Sequence, residues 1–504
     1  MDFEHLANAL TLTNLALALF GVVAGTIIGS IPGLSATMAV AVLVPITFSM
    51  EPASALILLG AIYTGAIYGG AYSAILLNTP GTPSAIATTF DGYPMAKRGD
   101  GDLAVAIACY ASVFGGLVGA LALLLLAPPL SSVALAFGPV EYLWLSVFGL
   151  SLIASLSTGN VLKGLAGGAF GLLLSCVGVA EISADIRLTF GSTTMIGGIE
   201  VVGALIGLYC IPVLIDMVAT PERHLKVEEG GRAVRFREGA IIAWRSRFNL
   251  LRSSIIGTVI GILPGAGGSV AGLVAYSEAK RTARPGQKFG EGEPDGVMAT
   301  EAANNATVGG GFIPTLVLGI PGTPPDAVIL GALLVQGVRT GPTLFEGGGS
   351  IVYTFVFGLF IATILMLPTG LLIGRYAYKT IVTIPKTILV PSVGFMTIIG
   401  TFAIRNSISD VMIMIVLGTI GWVLSRFGFA ASPIVLGLIL GPIAEQGFVQ
   451  AWIIGDATGN LMGMFFGRPI SLAIIAFTIL SLVYPVVQGR RARRLLKTEA
   501  GAND

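Results

Sequence analysis

Runs of about 20 apolar residues, the length that crosses a hydrocarbon layer as a helix, follow one another along this chain with little charge between them. Clear stretches cover about 103–128, 140–157, 160–180, 195–218, 350–373, 386–402, 408–425, 430–445 and 468–487. Backbone polar groups in lipid must be bonded within their own segment, so these runs predict helices and not open sheet. Only 11% of the residues are charged, about half of the roughly 25% with which a soluble domain covers its surface. The expected fold class is therefore an all-α polytopic membrane protein of about 11–12 transmembrane helices, with the lipid bilayer as its surroundings. A net charge of +1 gives no basic field for nucleic acid. Cys109, Cys176 and Cys210 sit unpaired in apolar runs and His5 and His224 lie far apart, so neither a disulfide nor a metal site is expected. The first residues, "MDFEHLANAL", lack the basic start of a cleaved signal peptide.

One long polar interruption carries Arg223, Lys226, Arg232, Arg235, Arg237, Arg245, Arg247 and Arg252. It divides the chain into a first membrane repeat (1–220), a basic linker (221–252), a second repeat (253–467), and an extra transmembrane helix with a basic tail (468–504). The excess of Lys and Arg puts the linker in the cytoplasm, with the tail bearing Arg490, Arg491, Arg493, Arg494 and Lys497. A lipid-surface role for the linker is the lesser reading.

The two halves share motifs in the same order. "GSIPGLSATMA" (29–39) matches "GILPGAGGSVA" (261–271), and "GGAYSAILLNTPGTPSA" (69–85) aligns without gaps to "GGFIPTLVLGIPGTPPD" (310–326). Basic residues stand at both ends of the segment around Pro264-Gly265, namely Arg252, Lys280 and Arg281, and at neither end of the segment around Pro32-Gly33. Two re-entrant Pro/Gly hairpins in two inverted-topology repeats account for this. The loops with Lys97 and Arg98, after Arg375 and after Arg426 then fall inside, with the N-terminus outside and the C-terminus inside. Twelve unbroken spans are the rival arrangement.

A helix broken by Pro and Gly in hydrocarbon frees backbone groups that must find partners. Helix starts at such breaks face anions, and freed carbonyls coordinate cations. Paired breaks in two repeats are the best sequence pointer to a transport site; simple close packing by small residues is the alternative. Around the four breaks stand Ser35, Thr37, Asn78, Thr79, Thr82, Ser269, Asn304, Asn305, Thr307 and Thr323. Neutral oxygens of this kind suit a dehydrated monovalent cation or the oxygens of a carboxylate. For the adjacent amides Asn304 and Asn305 the structural alternative is interhelical hydrogen bonding. Glu301 fits either the membrane or the cytoplasmic edge. Asp326 stands where the first half has Ala85, and a capping or surface role is expected for both acids ahead of proton coupling. Arg405 and Asp410 are expected at a surface. A phosphate-binding loop and a Ser/His/Asp set are missing from the sequence, so an enzyme or ATP-driven pump is not expected.

These motifs, with "YGGAYSAILLNTPGTPSAIATTFDGYPMAKRG", "EAANNATVGGG" and "LGIPGTPPDAVILGALLVQGVRTGP", make the chain similar to the large membrane subunit of the tripartite tricarboxylate transporter family (TctA-type) over nearly its whole length. The resemblance implies a secondary transporter of the bacterial inner membrane for carboxylates, driven by a cation gradient. It also implies two partners, a periplasmic solute-binding protein and a small four-helix membrane subunit. The mechanism expected is alternating access without a cofactor. Pro32, Gly33, Ser35, Thr37, Asn78, Thr79, Gly81, Thr82, Pro264, Gly265, Gly267, Gly268, Ser269, Gly322 and Thr323 would hold a small organic anion. Asn304, Asn305 and Thr307 would hold the coupling cation. Na⁺ is favoured over H⁺ because no symmetric pair of intramembrane carboxylates is evident. A passive pore and a scaffold subunit without its own path are the alternatives.

Overall fold

The computed structural model describes residues 3–156, 161–219, 235–346, 349–374 and 384–483. Arg223, Lys226, Arg232, His224, Arg375 and the basic tail from Arg490 to Lys497 lie outside the described residues.

In the first half the helices are α1 (Phe3–Ala9), α2 (Leu12–Ser30), α3 (Ala36–Leu43), α4 (Pro52–Leu77), α5 (Thr89–Met95), α6 (Gly101–Ala134), α7 (Pro139–Leu156), α8 (Val161–Ser175) and α9 (Val201–Ala219). In the second they are α10 (Phe236–Arg245), α11 (Arg247–Ile262), α12 (Gly267–Arg281), α13 (Pro294–Leu318), α14 (Pro324–Val335), α15 (Thr343–Glu346), α16 (Gly349–Leu372), α17 (Lys386–Arg405), α18 (Ile408–Arg426), α19 (Ala431–Ala457), α20 (Leu461–Phe466) and α21 (Pro469–Val483). The only strands among the described residues are Gly178–Val179 and Ile186–Arg187, an antiparallel pair. The chain is thus an all-α polytopic membrane protein. Among the described residues eight helical stretches are long and apolar enough to cross a bilayer by length and composition, and further apolar helices, such as Val161–Ser175 and Pro324–Val335, are shorter.

Prolines open α4, α13 and α14, where a missing N–H costs nothing. Asn78 and Gly319 close α4 and α13 in the left-handed region, at φ 52° and 69°. The short loops that follow carry the Pro-Gly-Thr-Pro sequences and lead into the 3₁₀ turn Pro83–Ala85 and into α14.

The chain divides into two compact units, each drawing on both halves of the sequence: 1–134 with 202–419, and 135–201 with 420–504. In the first, the helices meet through glycine on carbonyl. Gly25 and Gly29 of α2 lie on the carbonyls of Ile62 and Ala66 of α4, leaving no room for a Cβ. In the same register, Gly257 and Gly261 of α11 lie on Ala303 and Thr307 of α13, while Gly115 and Gly119 of α6 lie on Ala302 and Ala306. Such small-residue seams let helix backbones approach closely where lipid supplies no hydrophobic drive between them. α11 and α12 form a helix pair whose open end brings Arg252 to within 3.9 Å of Glu278. The hydrogen bond from Arg281 (2.8 Å), with the charges of Arg281 and Arg252, holds the Glu278 carboxyl below the usual carboxylate range. Arg405 pairs with Asp410 at 3.1 Å across the turn between α17 and α18; Arg405 is exposed as expected, whereas Asp410 is buried.

A loop of the second half is held by an acid of the first. The buried Asp91 of α5 accepts the backbone N–H groups of Gly290, Gly292 and Glu293 through Oδ1, each at 2.8 Å, and Arg98 donates to the Gly292 carbonyl at 2.6 Å. Each buried donor left unpaired costs about 1–3 kcal/mol. Asp91→Ala is therefore expected to destabilise the protein by about 3 kcal/mol, since water can reach part of the loop. Asp91→Asn, which keeps an acceptor oxygen, should lose less, as thermal unfolding in detergent would measure.

In the second unit α19 packs against α7 and α8, and Gly171 lies on the Ile434 carbonyl. Glu141 of α7 is fully buried and takes hydrogen bonds from Gly138 N (2.8 Å) and Ser471 (2.6 Å) and an ion pair from Arg468 (2.9 Å).

Candidate functional site

Three of the four breaks meet around α13. The N–H of Gly265 donates to the Gly322 carbonyl at 2.8 Å, tying the third break to the fourth by main chain alone. Gly265 holds φ 84°, a conformation glycine adopts without strain. Gly322 in turn sits on the Gly261 carbonyl and against Gly311, and Gly81 sits on the Gly29 carbonyl and against Gly70. The second break joins through Ser84. Its hydroxyl is 3.0 Å from that of Thr82, and its Cβ borders Gly268, the second residue of α12. A Cβ on Gly268 would overlap Oδ1 of Asn304, and one on Gly267 would come to 4.0 Å from the Thr323 methyl.

Thr323 caps α14. Its hydroxyl and N–H both donate to Asp326 Oδ2, at 2.6 and 2.8 Å, and its oxygen is 2.8 Å from the Tyr63 hydroxyl. The capping role expected of Asp326 holds, whereas the surface position does not, because Asp326 is fully buried. Glu301, open between the membrane and an edge, is also fully buried, bonded to Thr88 and to Ser112.

Asn304 and Asn305 are fully buried. Both amide atoms of Asn304 and Nδ2 of Asn305 have no partner among the described residues, and Asn305 Oδ1 has only a long contact of 3.5 Å from Thr64. Interhelical bonding therefore does not account for these amides, and a buried polar group without a partner costs about 1–3 kcal/mol. The Thr307 hydroxyl donates to the Asn304 carbonyl at 2.6 Å, which leaves its lone pairs available one turn further along the same helix.

Other expected residues serve the chain's own geometry. Asn78 is the exposed left-handed end of α4, and Thr79 donates to the Leu77 carbonyl at 3.3 Å. Ser35 accepts the Met38 N–H at 3.1 Å and caps α3, and Thr37 is buried within that helix. A Cβ on Gly33, beside the half-buried Pro32, would face open space. Pro264 is buried at the third break and Ser269 lies partly open on the first turn of α12. The sequence reading passed over Tyr63, Thr64 and Ser84. Carried upstream, the gapless alignment sets Tyr63 and Thr64 opposite Asn304 and Asn305, and that was the signal available. Among the described residues no group of His, Cys, Asp and Glu could hold a metal ion.

The arrangement offers free N–H groups at the start of α12, hydroxyls from three breaks and unspent amides beneath them. An anion is favoured at such a helix start by the exposed N–H groups and the helix dipole together.

Residues 15–436 match the family described as "Tripartite tricarboxylate transporter TctA family". An "Uncharacterized 52.8 kDa protein in TAR-I ttuC' 3'region" of Agrobacterium vitis is 36% identical over 495 residues, covering 97% of this chain and 96% of that protein. An "Uncharacterized protein in TAR-II ttuC' 3'region" of the same organism is 34% identical over 241 residues, covering 47% of this chain and 97% of that protein. No solved structure matches. With the family matched over most of its length, and a relative similar over nearly all of it, the chain belongs to the tripartite tricarboxylate transporter TctA family and is a membrane component of a transporter, not an enzyme.

Proposed function

We propose that this chain is the large permease subunit of a binding-protein-dependent secondary transporter of the bacterial inner membrane, importing a tricarboxylate or similar organic anion by Na⁺ symport. A periplasmic binding protein delivers the anion, and a small four-helix membrane subunit completes the complex. The anion lies at the start of α12, held by the N–H groups of Gly267, Gly268 and Ser269 and by the hydroxyls of Thr82 and Ser84, with Thr323 and its Asp326 cap shaping the wall beside Gly267. Na⁺ takes the oxygens of Asn304, Asn305 and Thr307. The observation that carries this reading is the pair of fully buried amides, Asn304 with neither amide atom partnered and pressed against Gly268, and Asn305 with its Nδ2 unpartnered. Groups as costly to bury as these persist where a ligand satisfies them during the working cycle.

The α2–α3 and α11–α12 pairs are the two re-entrant hairpins, in repeats of inverted topology. The proximity of Arg252 and Glu278 at one open end supports the hairpin, and the matching glycine contacts of α2–α4 and α11–α13 support the repeat.

In proteoliposomes with the binding protein, an inward Na⁺ gradient is expected to drive accumulation of labelled anion that saturates and exchanges. Asn304→Ala with Asn305→Ala is expected to abolish the Na⁺ dependence, at least a tenfold loss of uptake at limiting Na⁺ (about 1.4 kcal/mol). Wild-type uptake that ignores Na⁺ would overturn the choice of cation, and unsaturable flux without exchange would make the chain a pore.

A further inference from the structure

Glu301 lies one turn before the amides on α13, at the i, i+3 and i+4 positions that share a helix face. It is fully buried, and its surroundings can be counted hydrogen by hydrogen. Ser112 donates to Oε2 at 3.1 Å. On the other side runs a chain of contacts: Glu301 Oε1 to the Thr88 hydroxyl, Thr88 to the Thr300 hydroxyl at 3.1 Å, and Thr300 to the Val297 carbonyl at 2.9 Å. That chain has three contacts, and the two threonines bring only two hydrogens. The carbonyl can only accept, so for every contact to carry a hydrogen Thr300 must give its own to Val297 and Thr88 its own to Thr300. The remaining contact needs a hydrogen from Glu301.

With Glu301 ionised, Thr88 gives its hydrogen to the carboxylate, and Thr300 is left with one hydrogen for two acceptors, the Thr88 oxygen and the Val297 carbonyl. The charge would also stand without a counterion. Among the groups facing it, α6 brings the Cys109 thiol, which bonds the carbonyls of Met366 and Leu367. Tyr68 and Tyr72 of α4 bond to each other, and Asp91 of α5 holds the 290–293 loop through Oδ1. Arg252 of α11 is engaged at the open end of its helix pair with Asn249 at 2.8 Å, and Asp326 of α14 is spent on Thr323. None of these is a cation beside Glu301, and an isolated buried carboxylate is far costlier than the neutral acid.

We infer that Glu301 is a proton-binding site, occupied in this conformation, and that its proton is a second coupling ion carried with the anion. Thr88 stands on the segment after the second break, four residues beyond Ser84, so the same short stretch of chain carries a hydroxyl of the proposed anion site and the hydroxyl bonded to the acid. Opening that segment would break the Glu301–Thr88 contact and expose the acid to release its proton. The coupling rests on the transport reading above; the protonation does not.

Two measurements test it. Infrared spectra of the purified full chain in detergent at neutral pH should show the carbonyl band of a neutral carboxylic acid that is lost in Glu301→Gln and kept in Asp326→Asn. No such band in the wild type, or a band unchanged in Glu301→Gln, overturns the assignment. Should Glu301→Gln fail to fold, Glu301→Asp is expected to shift the band, and a band unmoved by it overturns the assignment. In proteoliposomes of the reconstituted transporter at equal Na⁺ on both sides, an inward proton gradient should raise wild-type uptake severalfold, and Glu301→Gln should lose that rise. Wild-type uptake indifferent to the proton gradient but responsive to Na⁺ overturns the coupling alone. No uptake under either gradient overturns the transport reading, and the infrared result then decides the protonation.

Discussion

Gly268→Ala is expected to reduce anion uptake by tenfold or more while the protein remains folded. A Cβ there would land on Oδ1 of Asn304 with the Ser84 side chain on its other side. The cheapest relief is rotation of the amide, a side chain that no hydrogen bond fixes in place. The helix therefore survives and the amide moves. Loss of a single well-placed polar contact is worth about 1.5 kcal/mol or more when a charged partner is involved, which is tenfold in binding. Gly272→Ala is the matched control: its Cβ would meet neighbours no closer than 3.7 Å, an ordinary packing distance. Both variants are compared by uptake against anion concentration and by thermal unfolding. Uptake by Gly268→Ala equal to that of the control would remove Asn304 from the site.

The second large effect falls on stability. Arg468→Met leaves the fully buried Glu141 carboxylate with the Gly138 N–H and the Ser471 hydroxyl but without its counterion. Breaking a buried pair from one side costs about 3–5 kcal/mol. Because the Arg468 side chain is 39% exposed, and water already screens part of the pair, the lower end of that range, about 3 kcal/mol, is expected. Adding Glu141→Leu should restore most of the loss, since removing both partners spares the desolvated charge. Thermal unfolding of the two variants in detergent separates the outcomes: a double variant as unstable as the single one would mean that Glu141 stabilises α7 by some other route.

Helix ends were legible in the sequence because proline and glycine act locally. α4 and α13 end just before their Pro-Gly-Thr-Pro loops, and α2 and α11 end just before Pro32 and Pro264. The buried amides were legible too, since polar side chains in an apolar run demand an explanation. What the same rule does not separate is the two uses of Asn78. It stands at a break and is polar, yet it is there because asparagine tolerates the left-handed conformation that closes a helix; Gly319 does the same work in the other half. Thr79 and Ser35 likewise spend their side chains on nearby backbone. Tyr63 and Ser84 reach the site through contacts far along the chain, with Thr323 and Gly268, which no local pattern encodes. The depth of Glu301 and Asp326 was hidden for the same reason: the first follows from how α13 is enclosed by α4, α6, α11 and α12, and the second from how α14 packs against α3, α13 and α4.

The bond from Gly265 to Gly322, and the glycines seated on carbonyls, have an evolutionary consequence. The frame around the proposed anion site is built of main-chain atoms, which every amino acid possesses, and of glycines, which offer no side chain to tell one cargo from another. On the proposed reading only a few side chains, those of Thr82 and Ser84 among them, are left to meet the cargo. A lineage can therefore exchange one cargo for another by substitutions at those positions while the scaffold stays under strong purifying selection, so that relatives with different diets would share glycines and differ in hydroxyls.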